Sequence, residues 1–444
     1  MIKYLVRRIH PTTREHEMKF NCIPKRLTSI LNSTSITQLA RKCGFMQRMR
    51  NISPTELVFS LLNTLGTRSN INLSDIHKNL CIEHGKGINY KPFHNKLKKP
   101  ELTQLLRALT EQAAKEWLFE PLQQALPSEY PFKAIEAHDG SSLKLHIGLT
   151  EQFPGRFTKT HPAAMELHMT MDLMSGGYNY LGIAPDSESE RHYNPFAFEI
   201  KDILLLMDAG YFNIEYCYQA DKHGGYVIMR TNGQINPDII AAFDSQGTAI
   251  KALVGKKMKR VKLKKDQLVD LDVQWSGKPG LHRLIAFWDR KKSAIGYLIT
   301  NLKREQFPAV KVCELYGLRW QIELFFKELK SYSGLKTFNT RNKSIAESLV
   351  WASMLTLLLK RFIAKVSGEI HNVMISTQKV ARCANDWLPD ILKALRSGRE
   401  YRIKNQLRKW CRYLSEYACR SHPKRDNETL FVQLTEHASA ANNV

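Results

Sequence analysis

The sequence predicts an α/β chain: a mixed sheet with helices on its faces, interrupted by a β-rich insertion and flanked by helical N- and C-terminal regions. Three observations predict it. Up to about residue 125 the apolar residues recur at helical spacing. From residue 131 they alternate or form short runs, as strands do, and a continuous apolar run follows at 200–212. The chain after residue 345 returns to helical periodicity.

The N-terminal region opens with two amphipathic segments, "SITQLARKCGF" (35–45) and "PTELVFSLLNTL" (54–65), each with a capping Ser or Thr near its start. Residues 73–99 then read as a helix-turn-helix. Ser74 caps the first helix and Gly85 ends it, and the second is short and basic, with Asn89, Tyr90, Lys91, His94, Lys96, Lys98 and Lys99. Such a helix suits the major groove of DNA. Strands follow at 133–146, 164–173 and 178–185, the last two joined by "SGG". "IKDILLLMDAGYF" (200–212) is a buried central strand running into Asp208, and "GYVIMRT" (225–231) is the next strand after a helix. Residues 232–295 form the insertion. Its stretch 251–265 carries eight Lys or Arg and no acid, and strands at 268–275 and 282–289 follow. "IGYLITNL" (295–302) returns to the sheet and leads into a helix at 316–330.

At 444 residues the chain has room for two or three domains. The domain reading is a helical region at 1–125, an α/β domain at 126–345 holding the insertion, and a helical region at 346–444. The 43 % hydrophobic content excludes a disordered chain. Sixty-six Lys and Arg against 42 Asp and Glu leave a net charge of +24, a field that suits a polyanion such as nucleic acid. The longest apolar run, "LVWASMLTLLL" at 349–359, ends at Lys360 and Arg361, well short of the ~20 residues of a membrane span. No membrane partner is expected. The N-terminus lacks the apolar core of a signal peptide, and the cysteines form no C-x-x-C pair, so a reduced cytoplasm is the expected compartment.

The segment "YGLRWQIELFFKELK" (316–330) mixes charge with apolar bulk. On a helical wheel at roughly 100° per residue, Leu315, Leu318, Ile322, Phe325 and Leu329 span an arc of about 80°. Tyr316, Arg319, Glu323 and Lys330 share a narrow stripe beside it, with Lys327 close by. A solvated face with i,i+4 ion pairs is the plain explanation. Two further acids stand next to small residues: Asp139 in "HDGSS" and Asp208 in "MDAGYF". An Asp at the end of an apolar central strand lies where open sheets bind ligands. Three carboxylates on two strands and a helix suit two hard divalent cations and phosphoryl transfer.

Tyr316, Arg319, Glu323 and Lys330 match the pattern Y-x2-R-x3-E-x6-K. With Asp139 and Asp208 in order before them, residues 130–335 resemble the DDE-class cut-and-paste insertion-sequence transposases, whose catalytic core is ribonuclease-H-like. The resemblance implies that Asp139, Asp208 and Glu323 hold Mg²⁺ or Mn²⁺, two ions in all. It implies cleavage at the ends of an insertion sequence, a hairpin intermediate and strand transfer into target DNA. Tyr316, Arg319, Lys327 and Lys330 would contact DNA, and Tyr297 would stack a flipped base, with Trp288 and Trp275 as alternatives. Lys91 and Lys96 would contact the element end. Implied partners are double-stranded DNA, as terminal inverted repeats and target, and a second copy of the chain in a synaptic homodimer. The implied setting is a bacterial cytoplasm, at the nucleoid. Two other readings stay open: a nuclease of the same fold, and a non-catalytic DNA-binding protein derived from a transposase.

Overall fold

The computed structural model describes residues 13–48, 51–68, 70–85, 87–119, 126, 129–231, 233–265, 267–278, 280–289, 292–335 and 339–421. The last part of the C-terminal region read from sequence, beyond residue 421, lies outside them. The described residues fall into two units, one drawn from the chain up to Leu118 and from Glu328 onward, the other from Phe119–Lys327. The helical regions at the two ends, separate in the sequence reading, thus belong to one unit.

The helical unit contains α1 (Thr13–Ile30), α2 (Ser33–Lys42), α3 (Pro54–Thr67), α4 (Leu73–His84), α5 (Tyr90–Leu97) and α6 (Pro100–Ala113). The α4–α5 pair stands where the helix-turn-helix is expected. Its first cap is Asn72, not Ser74: the Asn72 side chain accepts from Asp75 N–H, and Asp75 reciprocates in a capping box. Gly85 ends α4 in the left-handed region at φ +71°, where a Cβ would be strained. The apolar run at 349–359 becomes the middle of α10 (Lys343–His371), buried on all sides between α3, α6 and the last described helix, Glu400–Tyr417. No described helix is long and apolar enough to cross a membrane. All eight cysteines are unbridged.

The second unit is built on a nine-stranded sheet in the order β3-β2-β1-β4-β5-β9-β8-β7-β6. Its strands are β1 (Ala134–Lys144), β2 (Ala164–Asp172), β3 (Tyr178–Pro185), β4 (Ile203–Met207), β5 (Tyr226–Arg230), β6 (Asp238–Asp244), β7 (Leu268–Gln274), β8 (His282–Asp289) and β9 (Ala294–Thr300). β1, β4 and β5 run parallel, and every other pairing is antiparallel. This is the mixed, ribonuclease-H-like α/β arrangement that the sequence predicts. β6 is the strand that the sequence reading did not anticipate. α7 (Ile214–Lys222) makes the β4-to-β5 crossover. One face of the sheet packs Leu205, Met207, Val227, Met229, Leu284, Ala286 and Ile299 into a dry core.

The insertion extends the sheet rather than standing apart from it, because β9 pairs with β5 on one side and β8 on the other. The buried Arg283 of β8 donates to both carboxylate oxygens of Asp270 and to the carbonyls of Leu302 and Phe307, just after β9. Arg304 joins Asp270 to Asp272. Two guanidiniums around a buried carboxylate keep its charge compensated.

Beyond β9 the chain forms α8 (Ala309–Gly317) and α9 (Trp320–Tyr332). The single helix expected over 316–330 is therefore two. Leu318 N–H bonds to Leu315 O, Arg319 N–H to Tyr316 O, and Ile322 N–H to Arg319 O, all i to i−3. This tight turn keeps near-helical dihedrals, so the apolar period runs through it unbroken.

Candidate active site

Two of the three expected acids are set by strand pairing. The parallel β1–β4 register ends at His138↔Met207, so Asp139 and Asp208 are the next residues on adjacent strands. Asp139 lies within β1, which continues past Gly140 in its pairing with β2, so "DGSS" belongs to the strand. Side chains alternate across a sheet. Asp139 follows the parity of Ala137, and Asp208, still extended at φ −81°, ψ 172°, follows that of Leu206. Both carboxylates therefore project from one face of the sheet.

The tight turn between α8 and α9 brings the rest. Arg319 Nη1 lies 2.7 Å from Asp139 Oδ2, and Nη2 pairs with Glu323. The Tyr316 hydroxyl donates to Asp208 Oδ1 at 3.4 Å, and its ring centroid is 5.7 Å from the Arg319 guanidinium. Asp139, Asp208, Glu323, Tyr316 and Arg319 thus form one cluster. Burial pushes the Asp139 carboxyl up to about 7 against the pull of Arg319, and Asp208 and Glu323 add to the push. Burial works against the Arg319 charge, yet Tyr316, Asp139, Asp208 and Glu323 hold its pKa above the ordinary value. Burial likewise raises the Tyr316 phenol.

The donor set is all oxygen, as Mg²⁺ or Mn²⁺ requires. Among the described residues no three acids, histidines or cysteines are grouped as metal ligands. In donor chemistry the three carboxylates suit a divalent ion, and Arg319 bonds two of them.

The other expected residues fall elsewhere. Tyr297 is 8 % exposed, packed with the core on the sheet face opposite the acids. Its register partner Ala286 is likewise core. A stacking platform beside the acids needs an open ring on their side, and Tyr297 lies on the other. Trp288 shares the parity of Ala286 and so that same far face, and Trp275 packs against the core. Lys327 is exposed on α9, and the half-buried Lys330 follows it in the helix. In the helical unit Lys91 is exposed at the start of α5, whereas the Lys96 ammonium lies 5.0 Å from the Phe45 ring centroid.

Other residues on the acids' face escaped the sequence reading. Arg230 ends β5, pairs with Asp289 at 2.6 Å, and lies 6.0 Å from the Phe287 ring centroid. Register puts Arg230, Phe287 and Asp289 on the face of Asp139. The half-buried Phe287 ring covers Gly296, where an added Cβ would come within 2.5 Å of it. Only the strand pairing could reveal this set. A second network backs β1. Arg156 bonds Glu166, Glu190 and Asp186, and His168 Nδ1 lies 2.7 Å from the Tyr211 hydroxyl. Gly140 is required there, because a Cβ would meet Tyr211 Oη at 2.6 Å and Glu166 Oε1 at 2.8 Å.

Known proteins similar to this chain are insertion-sequence transposases. The chain is 22 % identical over 271 residues to the transposase for insertion sequence element IS231F of Bacillus thuringiensis subsp. israelensis, covering 51 % of this chain and 56 % of the relative. It is 20 % identical over 372 residues to that for IS231B of Bacillus thuringiensis subsp. berliner, covering 74 % and 77 %. For the transposase of IS1151 from Clostridium perfringens the identity is 24 % over 277 residues, covering 54 % and 59 %. The chain therefore spans less than two thirds of two of these relatives. The profile of the family described as transposase DDE domain matches residues 131–359, more than half of the chain, from before β1 through both helices of the cluster and into α10. The chain belongs to the transposase DDE domain family.

Proposed function

We propose that this protein is an insertion-sequence transposase that cleaves DNA at the ends of its element and joins them to target DNA. The reading rests on one observation: Asp139 and Glu323, distant in sequence, share the Arg319 guanidinium, while Asp208 accepts from the neighbouring Tyr316 hydroxyl. Asp139, Asp208 and Glu323 would hold Mg²⁺ or Mn²⁺. Such ions would supply Lewis-acid stabilisation in phosphoryl transfer. The chain's own groups do the rest. Asp139 must be ionised to serve as a ligand. Tyr316 and Arg319 orient phosphates at the cut, and Lys327 and Lys330 are further DNA contacts. Lys91 on α5 contacts phosphates of the element end, with Lys96 beside it.

Second-strand cleavage through a hairpin belongs to the same proposal. A hairpin needs an unstacked base to rest on an aromatic ring. Phe287, on the face of the acids beside Arg230, takes that role in place of Tyr297. Partners are the inverted repeats, target DNA and a second protomer in the synaptic complex, and the site of action is the nucleoid.

The test is nicking of an end-labelled element end in Mg²⁺. Asp139→Asn, Asp208→Asn and Glu323→Gln should each lower nicking by roughly a thousand-fold or more, the scale of losing an essential electrostatic group. End binding in EDTA should persist. Normal nicking by any one variant removes that residue from the triad. A wild-type protein that binds ends but never nicks them is a DNA-binding protein only.

A further inference from the structure

Arg319 does something that a DNA-contacting arginine need not do: it bridges two of the proposed metal ligands. Nη1 takes Asp139 Oδ2 at 2.7 Å and Nη2 takes Glu323. Its side chain is only 12 % exposed. The remaining donor, Nε, is buried and has no hydrogen-bond partner. A guanidinium presents its donors as a rigid fork that one anion of the right shape satisfies bidentately. Here the fork is split between two carboxylates and one donor is stranded, so this is a serviceable place for Arg319 and not its best one.

The acids have matching needs. Three carboxylates at close quarters repel one another unless a cation lies among them. In the DNA-free protein Arg319 is that cation. A divalent ion at the triad requires the same Asp139 and Glu323 oxygens, so the ion and the guanidinium exclude each other. Arg319 cannot lose its proton to make way. It has to swing out, and a displaced guanidinium beside the sheet needs a new anion. A DNA phosphate at the cleavage point is such an anion, and its oxygens also satisfy Nε.

We propose that Arg319 is a tethered counter-cation, which keeps the divalent-ion position closed in the DNA-free protein and yields it when a DNA phosphate captures the guanidinium. The proposal rests on the triad reading above. Its consequence is coupling: metal and DNA each raise the affinity of the protein for the other by the same factor. Free protein then carries little metal, and the triad is armed only where a phosphate backbone is already docked. The tight turn at Leu318–Arg319 suits this, since it pins the arginine's backbone by i to i−3 bonds while the side chain exchanges partners.

The experiment measures Mn²⁺ binding to the full chain without DNA, by loss of the free-ion electron paramagnetic resonance signal. Proteins are wild type, Arg319→Gln, Arg319→Lys, Asp139→Asn and the Arg319→Gln/Asp139→Asn pair. Arg319→Gln should bind Mn²⁺ about ten-fold or more tightly than wild type, and the double variant should lose that gain. Arg319→Lys keeps the charge but cannot span both carboxylates, so it should fall between; it also carries the test if the Gln variant fails to fold. A second readout is duplex DNA affinity in EDTA and in Ca²⁺. The gain on adding Ca²⁺ should be several-fold larger for wild type than for Arg319→Gln. Equal Mn²⁺ affinities of wild type and Arg319→Gln, both weakened by Asp139→Asn, overturn the proposal and leave the triad standing. Equal Ca²⁺ gains in DNA affinity also overturn it. Mn²⁺ binding insensitive to Asp139→Asn in every background overturns the triad reading itself.

Discussion

Lys360 sits 1 % exposed in the middle of α10, and replacing it with Met tests how the helical unit is held together. Its ammonium donates to the carbonyls of Gly66 at 2.7 Å and Tyr332 at 2.6 Å. Those carbonyls lie in the last turns of α3 and α9, where backbone acceptors lack helical partners and the dipole favours a cation. Lys360→Met keeps the apolar stem and removes both bonds. Two stranded carbonyls cost about 1–3 kcal/mol each, offset in part because no polar head is buried, which leaves a net loss of about 2–4 kcal/mol. For a unit of this size that lowers the melting temperature by roughly 5–15 °C. Burial also drives the Lys360 pKa down to about 7 from 10.5, although Glu328 resists the change. Between those values the unfolded chain holds a proton that the folded chain has released, so wild-type stability rises with pH there. The Met variant lacks that rise, and the gap between the two should widen from pH 7 to pH 9 by up to roughly 2–3 kcal/mol. The neutral amine still has two N–H groups for the two carbonyls, so the bonds survive deprotonation. Calorimetric melts across this pH range make the measurement. A variant melting within about 2 °C of wild type, or a gap that narrows as pH rises, refutes the argument.

Two further outcomes follow from the sheet unit. Glu136 is buried opposite Asp172 across the β1–β2 pair, and burial first, then Asp172, lifts its pKa to about 7 despite the bond from Asn179. The folded chain keeps a proton between about 4.5 and 7 that the unfolded chain has lost, so wild-type stability falls as pH rises through that window. Glu136→Gln should therefore be about 1–3 kcal/mol more stable than wild type at pH 8 and no more stable at pH 4.5; a uniform difference at both pH values counts against it. Gly140→Ala drives a methyl against Tyr211 and Glu166, both held by their own partners. It should cost about 1–3 kcal/mol in a melt and depress nicking through the adjacent Asp139, and a variant with wild-type melting and nicking would show that β1 yields easily there.

Part of the candidate site was legible because Asp208 ends an apolar run and Glu323 lies in a helix of regular apolar period, and period-2 and period-3.6 patterns are local signals. Asp208 follows "ILLLM", and Glu323 sits beside a regular apolar stripe. The break at Leu318–Arg319 was not legible, because i to i−3 turns preserve nearly the same side-chain period. The face of Tyr297 depends on register with β5 and β8, which no single strand encodes. For the same reason Phe287 and Arg230 stayed hidden until the strands were paired. β6 was missed because its "DIIAAFD" is short and is followed by a long basic stretch. Lys360 was read as the end of an apolar run, whereas two helix C-termini supply the partners that let a lysine continue the core.

The β5–β9 seam carries a consequence for modularity. β9 is at once the last strand of the insertion and the chain's route back to α8, and its pairing with β5 is only three residues long, Ile228–Arg230 against Leu298–Thr300. Arg283, from the strand beyond, holds the carbonyls of Leu302 and Phe307 on that route. The segment at 232–293 is therefore not a cassette that could be trimmed to a short linker or exchanged between relatives at its sequence ends. Excision would strip β9 of its longer pairing and leave the approach to Tyr316 and Arg319 without its anchor. A graft that works has to carry β8, β9 and the Arg283 acceptors together, so the natural unit of exchange runs from β6 through the start of α8.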